Sequence, residues 1–140
     1  MTATIIADTA AIVGFLSETD QWRESALGFF MDLPKPFFTC EAVITESCFL
    51  LQGSSNGEKQ VLDLIADNIL KIDFSISTVV AKVNLLMQKY KSVPMSLADA
   101  CLVRMTEIFD GPIFTFDSDF EIYRKHGRER IPVIGLNTDV

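Results

Sequence analysis

Four acidic residues of this sequence lie in surroundings that are more apolar than carboxylates usually tolerate. Asp8 and Asp117 end the short apolar runs "TIIAD" and "IFTFD", whereas Glu46 and Asp99 lie within the helical patterns "EAVITESCFLLQ" and "PMSLADACLVRM". A buried carboxylate without a partner is costly, or its pKa shifts until it is neutral. One divalent cation would satisfy all four, and Mg²⁺ or Mn²⁺ suits a set of acids without His or Cys. Such a site can activate a water molecule and neutralise charge on a phosphodiester.

Three of these acids also have a purely structural interpretation. Asp8 could cap the helix that follows it. Ser96 and Asp99, in "SLAD", resemble a capping box in which Asp replaces Glu. Asp117 could form an Asx-turn. Capping or turn formation therefore competes with metal binding at each of these positions.

Glu46 is too far inside its helix to be a cap. Residues three and four positions away share its helix face, and here they are all apolar: Ala42, Val43, Phe49 and Leu50. We therefore expect Glu46 on a buried face, where only an ion pair with Lys or Arg would explain it structurally.

Basic residues give weaker signals. His126 lies in the charged stretch "YRKHGRER", which is typical of a solvated loop. Arg104 and Lys82 are candidates for phosphate contact on helices near the acids, with solvated surface charge as the alternative.

Composition is that of an ordinary globular chain, with 49% hydrophobic and 22% charged residues among 140. The net charge of −7 argues against unselective nucleic-acid binding through a basic surface. No apolar run approaches the ~20 residues that span a bilayer. A secretory signal is not expected either, because the apolar N-terminal stretch has no basic segment and contains Asp8.

Three cysteines, Cys40, Cys48 and Cys101, lie in apolar segments and form no CxxC pair. This pattern favours small buried side chains in a reducing cytoplasm over a zinc site or a disulfide framework.

Strand-like and helical patterns alternate along the whole chain. Strands are predicted at Thr4–Ala7, Phe37–Thr39, Leu70–Asp73, Ile113–Phe116 and in "IPVIGL". Helices are predicted at Ala10–Leu16, after an N-cap at Asp20, around Glu46, at Glu58–Asn68, from a cap at Ser75 or Ser77 to Lys91, from Ser96 to Phe109, and briefly in "DSDFEIYRK". On the helix that ends at Lys91, the residues expected to face inward are Val79, Val80, Val83, Leu86, Met87 and Tyr90. The alternation predicts one α/β domain over residues 1–140, with a mainly parallel sheet flanked by helices on both faces.

The ordered set of acids resembles the PIN-domain family, with Asp8 in "IIADTAAIVGFL", Glu46 in "AVITESCFLL", Asp99 in "SLADACLVRM" and Asp117 in "FTFDSDF". The resemblance covers essentially the whole chain, and the length is similar to that of VapC-like toxins.

The resemblance implies cleavage of RNA with Mg²⁺ or Mn²⁺ by the toxin of a toxin–antitoxin pair. It implies that Asp8, Glu46, Asp99 and Asp117 are catalytic metal ligands, that Asp119 contributes as a further ligand, and that Thr9 and Thr115 orient the ligands. A protein antitoxin and a second copy of the chain are the implied partners.

Two other functions are compatible with parts of the pattern. An aspartate-based phosphoryl-transfer enzyme would also place an acid after the first strand, but the sequence there is Asp8, Thr9, Ala10 rather than DxD. In an interaction module without catalysis, the acids would be caps and ion-pair partners.

Overall fold

The structure, a computed structural model, describes residues 4–136. The strands are β1 (Ile6–Ala7), β2 (Phe37–Thr39), β3 (Leu70–Ile72), β4 (Ile113–Phe114), β5 (Arg124–Lys125), β6 (Glu129–Arg130) and β7 (Val133–Ile134). The helices are α1 (Thr9–Leu16), α2 (Arg23–Asp32), α3 (Glu41–Leu50), α4 (Gly57–Ala66), α5 (Val80–Lys89) and α6 (Leu97–Phe109), with 3₁₀ turns at Ile76–Thr78 and Ser118–Glu121.

Five strands form a parallel sheet in the order β3-β2-β1-β4-β7, which confirms the predicted α/β fold. Ile6 of the central strand pairs with Phe38 on one side and with Ile113 on the other. Ile6 and Ala7 are both fully buried, as are Ile113 and Phe114. Because successive residues of a strand point to opposite faces, the central strands are covered on both faces.

Helix α6 lies deepest among the helices, with seven of its 13 residues buried. It begins at Ser96, whose side chain caps it, and ends at Asp110 in the left-handed conformation (φ 53°). The next residue must be small, since a Cβ on Gly111 would lie 1.8 Å from the carbonyl oxygen of Thr4. This tight turn brings the chain from α6 directly into β4 beside β1.

The segment "DSDFEIYRK" differs from the predicted short helix. Only Ser118–Glu121 is helical, as a 3₁₀ turn, and Arg124–Lys125 then pairs antiparallel with Glu129–Arg130. The hairpin turn uses two positive φ angles, at His126 (52°) and Gly127 (83°). Tyr123, at the junction of the helical turn and the hairpin, is fully buried.

Two predicted helix starts were also wrong. Ser75 and Ser77 hydrogen-bond each other through their hydroxyls at 2.9 Å, and α5 begins only at Val80, which is exposed rather than inward-facing. Asp20 is not the N-cap of α2, because that helix starts at Arg23. Its carboxylate instead accepts the backbone N–H of Trp22 at 2.9 Å and holds the turn before the helix.

The other inward-facing predictions for this segment are confirmed, because Val83 and Tyr90 are buried and three partly buried side chains pack against the core: Val79, Leu86 and Met87. The three cysteines are free thiols, with Cys40 and Cys101 buried and Cys48 half-buried. Among the helices of residues 4–136, none combines the length and apolarity needed to cross a membrane.

Candidate active site

The four predicted acids line one cavity of about 430 Å³. It opens where β1 and β4 end, because Asp8 directly follows β1 and Asp117 lies three residues after β4. The full lining is Asp8, Thr9, Ala10, Val13, Asp20, Gln21, Trp22, Glu46, Leu50, Ser96, Asp99 and Asp117. The carboxyl ends of parallel strands are where open α/β sheets collect ligands.

Asp8 lies deepest in this cavity and is 4% exposed. One carboxylate oxygen accepts the Thr9 backbone N–H at 2.6 Å, and the other accepts the Thr115 hydroxyl at 2.6 Å. Burial raises the pKa of Asp8 to about 7, and the charges of Asp99 and Asp117 push in the same direction. The two hydrogen bonds oppose this shift without cancelling it.

Thr115 connects two of the acids through its hydroxyl. The hydroxyl donates to Asp8 and accepts the backbone N–H of Asp117 at 2.9 Å. Thr9 also lies in the lining, and its buried hydroxyl has no hydrogen-bond partner within residues 4–136.

Asp99 forms the predicted capping box. Its N–H donates to the Ser96 hydroxyl at 3.0 Å, and its carboxylate accepts the Ser96 N–H at 3.4 Å. The same carboxylate oxygen accepts the hydroxyl of buried Tyr123 at 2.9 Å. Burial raises the pKa of Asp99, as does the charge of Asp117. The pKa of Tyr123 is raised by burial and by the charge of Asp99, so the phenol stays a donor.

Asp117 forms the predicted Asx-turn by accepting the Asp119 N–H at 2.9 Å. Asp119 itself is not part of the cavity lining. Burial and the charge of Asp117 raise the pKa of Asp119. In each of Asp99 and Asp117, one carboxylate oxygen accepts the hydrogen bonds described above. The other oxygen has no hydrogen-bond partner in the described chain. Capping and cavity lining are thus compatible in the same residue.

Glu46 lies at the cavity without the expected ion pair. Within residues 4–136, its side chain forms neither a hydrogen bond nor an ion pair. The prediction of a buried face holds for Ala42 and Val43, which pack in or against the core, and is wrong for Phe49 and Leu50, which are 66% and 56% exposed. Glu46 itself is half-buried. Its carboxylate is tolerated because it faces the cavity.

The lining also includes residues that the sequence does not identify as part of a site, among them Asp20 and Trp22. The sequence predicts Asp20 as a helix cap and gives Trp22 no role in a site. Both belong to the turn before α2, and nothing local in "SETDQW" distinguishes a cavity wall from a surface turn.

No Lys, Arg or His is present among the lining residues described, although five of them are acids. Arg104 and Lys82, the candidates for phosphate contact, line a separate groove instead, so they are not placed beside these acids. The three ion pairs of the described chain use other acids: Asp63, Glu107 and Asp110. The cavity therefore concentrates negative charge that no side chain of its lining neutralises.

Within residues 4–136, no group of three or more His, Cys, Asp or Glu side chains is arranged to enclose a metal ion. The donor set nevertheless fits Mg²⁺ or Mn²⁺, because it consists of oxygen atoms. Mg²⁺ usually keeps several waters and is held by one or two carboxylates plus substrate phosphate rather than by a protein cage. Asp99 and Asp117, each with an unpartnered carboxylate oxygen, meet that requirement.

The fold and the acidic cavity at the strand ends define the class of protein. The chain matches the family model of the PIN domain over residues 5–125, and it belongs to this family.

The fold is also similar to that of a solved toxin, VapC20 of Mycobacterium tuberculosis, which is described as cleaving the sarcin-ricin loop. The TM-score is 0.74, and the match covers 85% of this chain and 94% of the VapC20 chain. The sequences are 15% identical, so the likeness concerns the fold, which is VapC-like. No curated protein matches the chain.

Proposed function

We propose that this chain is a divalent-metal-dependent endoribonuclease that hydrolyses RNA phosphodiester bonds, with Mg²⁺ or Mn²⁺ as its cofactor. The observation that carries the proposal is the cavity at the strand ends, lined by five carboxylates and, within the described residues, by no cationic side chain. Membership of the PIN domain family supports the same assignment.

In this proposal Asp8, Glu46, Asp99 and Asp117 hold the ion directly or through water, with Asp119 supporting Asp117 through its backbone N–H. Thr115 fixes Asp8 and the Asp117 backbone in one arrangement, and Thr9 fixes the other oxygen of Asp8. When bound, the ion lowers the pKa of a water molecule and neutralises charge on the phosphate. Tyr123 and Ser96 keep one oxygen of Asp99 occupied, so that the other stays directed to ligands.

We also propose that the protein is the toxin of a type II toxin–antitoxin pair, acting in the cytoplasm, and that it binds a protein antitoxin and forms a homodimer. Its VapC-like fold supports this assignment. Large apolar side chains exposed on α3 and α4, such as Phe49 and Leu62, are compatible with surfaces that partners cover.

A cleavage assay tests the nuclease proposal. Single-stranded RNA is incubated with wild type, Asp8→Asn and Asp99→Asn in the presence of Mn²⁺ or Mg²⁺. We expect each variant to lose more than about a hundredfold in rate, because even residues that only orient metal ligands are worth about 10–100-fold.

The matched control is Asp63→Asn, which removes an exposed carboxylate that pairs only with Lys59. It should cleave like wild type, since surface pairs contribute little. Equal rates in all four proteins would show that a contaminating nuclease is responsible. A wild type without activity, purified free of any bound partner, would favour the interaction module instead.

A further inference from the structure

One wall of the acidic cavity carries an aromatic ring that the proposed metal chemistry does not use. Trp22 stacks on Phe116 with ring centroids 5.1 Å apart and planes only 6° from parallel. Phe116 covers one face of the indole, yet Trp22 remains 38% exposed and lines the cavity. A large ring held flat on one side and open on the other can accept a second flat partner.

The ring is held from several directions. Phe116 packs in turn against Phe29 and Phe114, at 6.4 Å and 5.8 Å between centroids. The Trp22 backbone donates to the Asp20 carboxylate at 2.9 Å and accepts the Ala26 N–H at 2.8 Å. The indole is therefore positioned before any ligand arrives, which lowers the entropy cost of binding.

Close approach of α1 to this turn also depends on Gly14. A Cβ at position 14 would lie 3.2 Å from the Ala26 Cβ and 3.6 Å from the Trp22 Cβ. The absence of a side chain there lets the start of α2 lie against α1, so that Trp22 reaches the cavity that contains Asp8.

The cavity thus combines two kinds of lining. The acids can bind a phosphate group only through a cation that lies between them. Trp22 forms the apolar part of the lining together with Ala10, Val13 and Leu50. A nucleotide has the same two parts, a charged phosphate and a flat base. A peptide side chain could also cover the indole, but it would not explain why the ring adjoins the acids.

We propose that Trp22 stacks on an unpaired nucleobase of the RNA and so positions the adjacent phosphodiester at the acids. The proposal rests on the nuclease function proposed above. Stacking on an aromatic ring tolerates every base and requires that the base is not already stacked in a duplex. The site would therefore prefer single-stranded or looped RNA without reading its sequence.

The net charge of −7 strengthens this inference. Proteins that bind nucleic acid mainly through phosphates do so with Lys and Arg, and their affinity falls steeply with salt. Within the described chain, the cavity offers no such side chain. Stacking must then supply a larger share of the affinity, so binding should depend only weakly on salt.

Trp22 is the single tryptophan of the chain, which makes the contact directly observable. The probe is a short single-stranded oligoadenylate, titrated into Asp117→Asn with Mg²⁺ so that it is bound without being cleaved. We expect saturable quenching of the indole fluorescence. An abasic ribose-phosphate oligomer of equal length, which has the phosphates but no base to stack, should produce no quenching.

Substitutions then separate stacking from general packing, using binding of a dye-labelled oligoadenylate. We expect Trp22→Ala to weaken binding about tenfold, because a base–aromatic stack is a substantial part of single-strand affinity. Trp22→Phe keeps a ring and should lose about twofold to threefold. Met31→Ala is the control, since it removes a large apolar side chain of α2 that is 79% exposed and lies outside the cavity lining, and it should bind like the parent protein.

Several outcomes would overturn the proposal. Unquenched fluorescence at saturating oligoadenylate, equal quenching by the abasic oligomer, or unchanged affinity in Trp22→Ala would each show that no base stacks on the indole. Unchanged affinity in Trp22→Ala would favour a protein partner as the group that covers the indole. Failure of the nuclease proposal gives a different pattern. Quenching without any cleavage by wild type would show a cavity that binds nucleic acid but is not a nuclease site. Cleavage that Trp22→Ala does not affect would show a nuclease that does not use the stack.

Discussion

Two concave regions of this molecule are similar in volume but differ in the charged residues that line them. The acidic cavity encloses about 430 Å³, and a second groove, between α5, α6 and the β5–β6 hairpin, encloses about 410 Å³. The groove is lined by Lys82, Leu85, Leu86, Lys89, Arg104, Glu107, His126 and Gly127. Both regions contain charges, but only the groove contains charges of both signs.

In the groove, Glu107, Arg104 and Lys89 have partners within the protein. Glu107 accepts the Arg104 guanidinium at 3.1 Å and the His126 backbone N–H at 2.7 Å. Lys89 donates to the carbonyl oxygen of Gly127 at 2.8 Å. The acids of the cavity have only neutral donors: hydroxyls and backbone N–H groups. Lys82 has no ion pair within residues 4–136, and the buried Nε of Arg104 has no hydrogen-bond partner there, so the groove is only partly neutralised. The groove nevertheless contains charges of both signs, whereas acids are the only charged residues in the described lining of the cavity.

The largest expected difference between the two regions is their response to divalent metal. A ligand that binds only the folded state raises the free energy of unfolding by about 2.7 kcal/mol at a hundredfold excess over its Kd. For a chain of this length we expect Mn²⁺ or Mg²⁺ to raise the melting temperature by roughly 5–10 °C. Differential scanning fluorimetry with and without metal measures this shift.

Asp8→Asn and Asp99→Asn should abolish most of the increase, whereas Glu107→Gln in the groove should keep it. An equal increase in all variants would place the responsible ion outside the cavity. No increase in wild type would favour an interaction module whose acids are caps.

The pH dependence of stability without metal is the next largest effect. Because the pKa of Asp8 is raised from 3.8 to about 7, the folded protein binds more protons than the unfolded chain between these values. The free energy of unfolding therefore falls as the pH rises from about 4 to about 7, and Asp99 acts in the same direction. In EDTA at pH 8, Asp8→Asn should be more stable than wild type by about 2 kcal/mol, after allowing for weaker bonding to Thr115.

At pH 4 the same substitution should have almost no effect, because the wild-type carboxyl is then protonated. Urea unfolding at both pH values gives the comparison. A variant that is less stable than wild type at pH 8 would show that ionised Asp8 stabilises the metal-free fold.

The smallest expected effect is on the free energy of unfolding, when a Glu→Gln substitution in the groove is compared with one in the cavity. Glu107→Gln removes a charge that is paired with Arg104, and the side chains of this pair are 8% and 20% exposed. We expect it to lower the free energy of unfolding by about 1–2 kcal/mol without affecting cleavage. Glu46→Gln removes a charge without a partner in the described chain, so stability in EDTA should stay the same or rise, while cleavage is lost. Chemical denaturation of both variants, with the cleavage assay, tests the contrast.

If Glu46→Gln unfolds the protein, Glu46 is bonded in a way that the structure does not show, and its role as a metal ligand is contradicted. Loss of cleavage in Glu107→Gln would show instead that the groove takes part in the reaction.

The sequence predicted the parts of the site that depend on local pattern. Asp8 could be placed because a carboxylate follows a short apolar strand, and the cap at Ser96 could be read from "SLAD". The parallel sheet followed from the alternation of strands and helices. In each case a few neighbouring residues decide the conformation, so it can be predicted from the local sequence.

Features that depend on contacts between distant segments could not be predicted. Trp22 lies at the cavity because it stacks on Phe116, and Arg104 lies in the groove because α5 and the hairpin close over that part of α6. Phe49 and Leu50 are apolar but exposed, so helix periodicity predicted more burial around Glu46 than the structure has. Hydrophobic pattern indicates what a side chain tolerates, whereas packing decides what it touches.

The most direct measurement of the central claim is an anomalous difference map from a crystal of the wild-type protein grown with Mn²⁺. We predict a peak inside the acidic cavity, within direct or water-mediated reach of Asp8 and of at least one of Asp99 and Asp117. A cavity without a peak at saturating Mn²⁺, or with the ion found only elsewhere on the protein, would contradict the claim that a divalent cation completes this site.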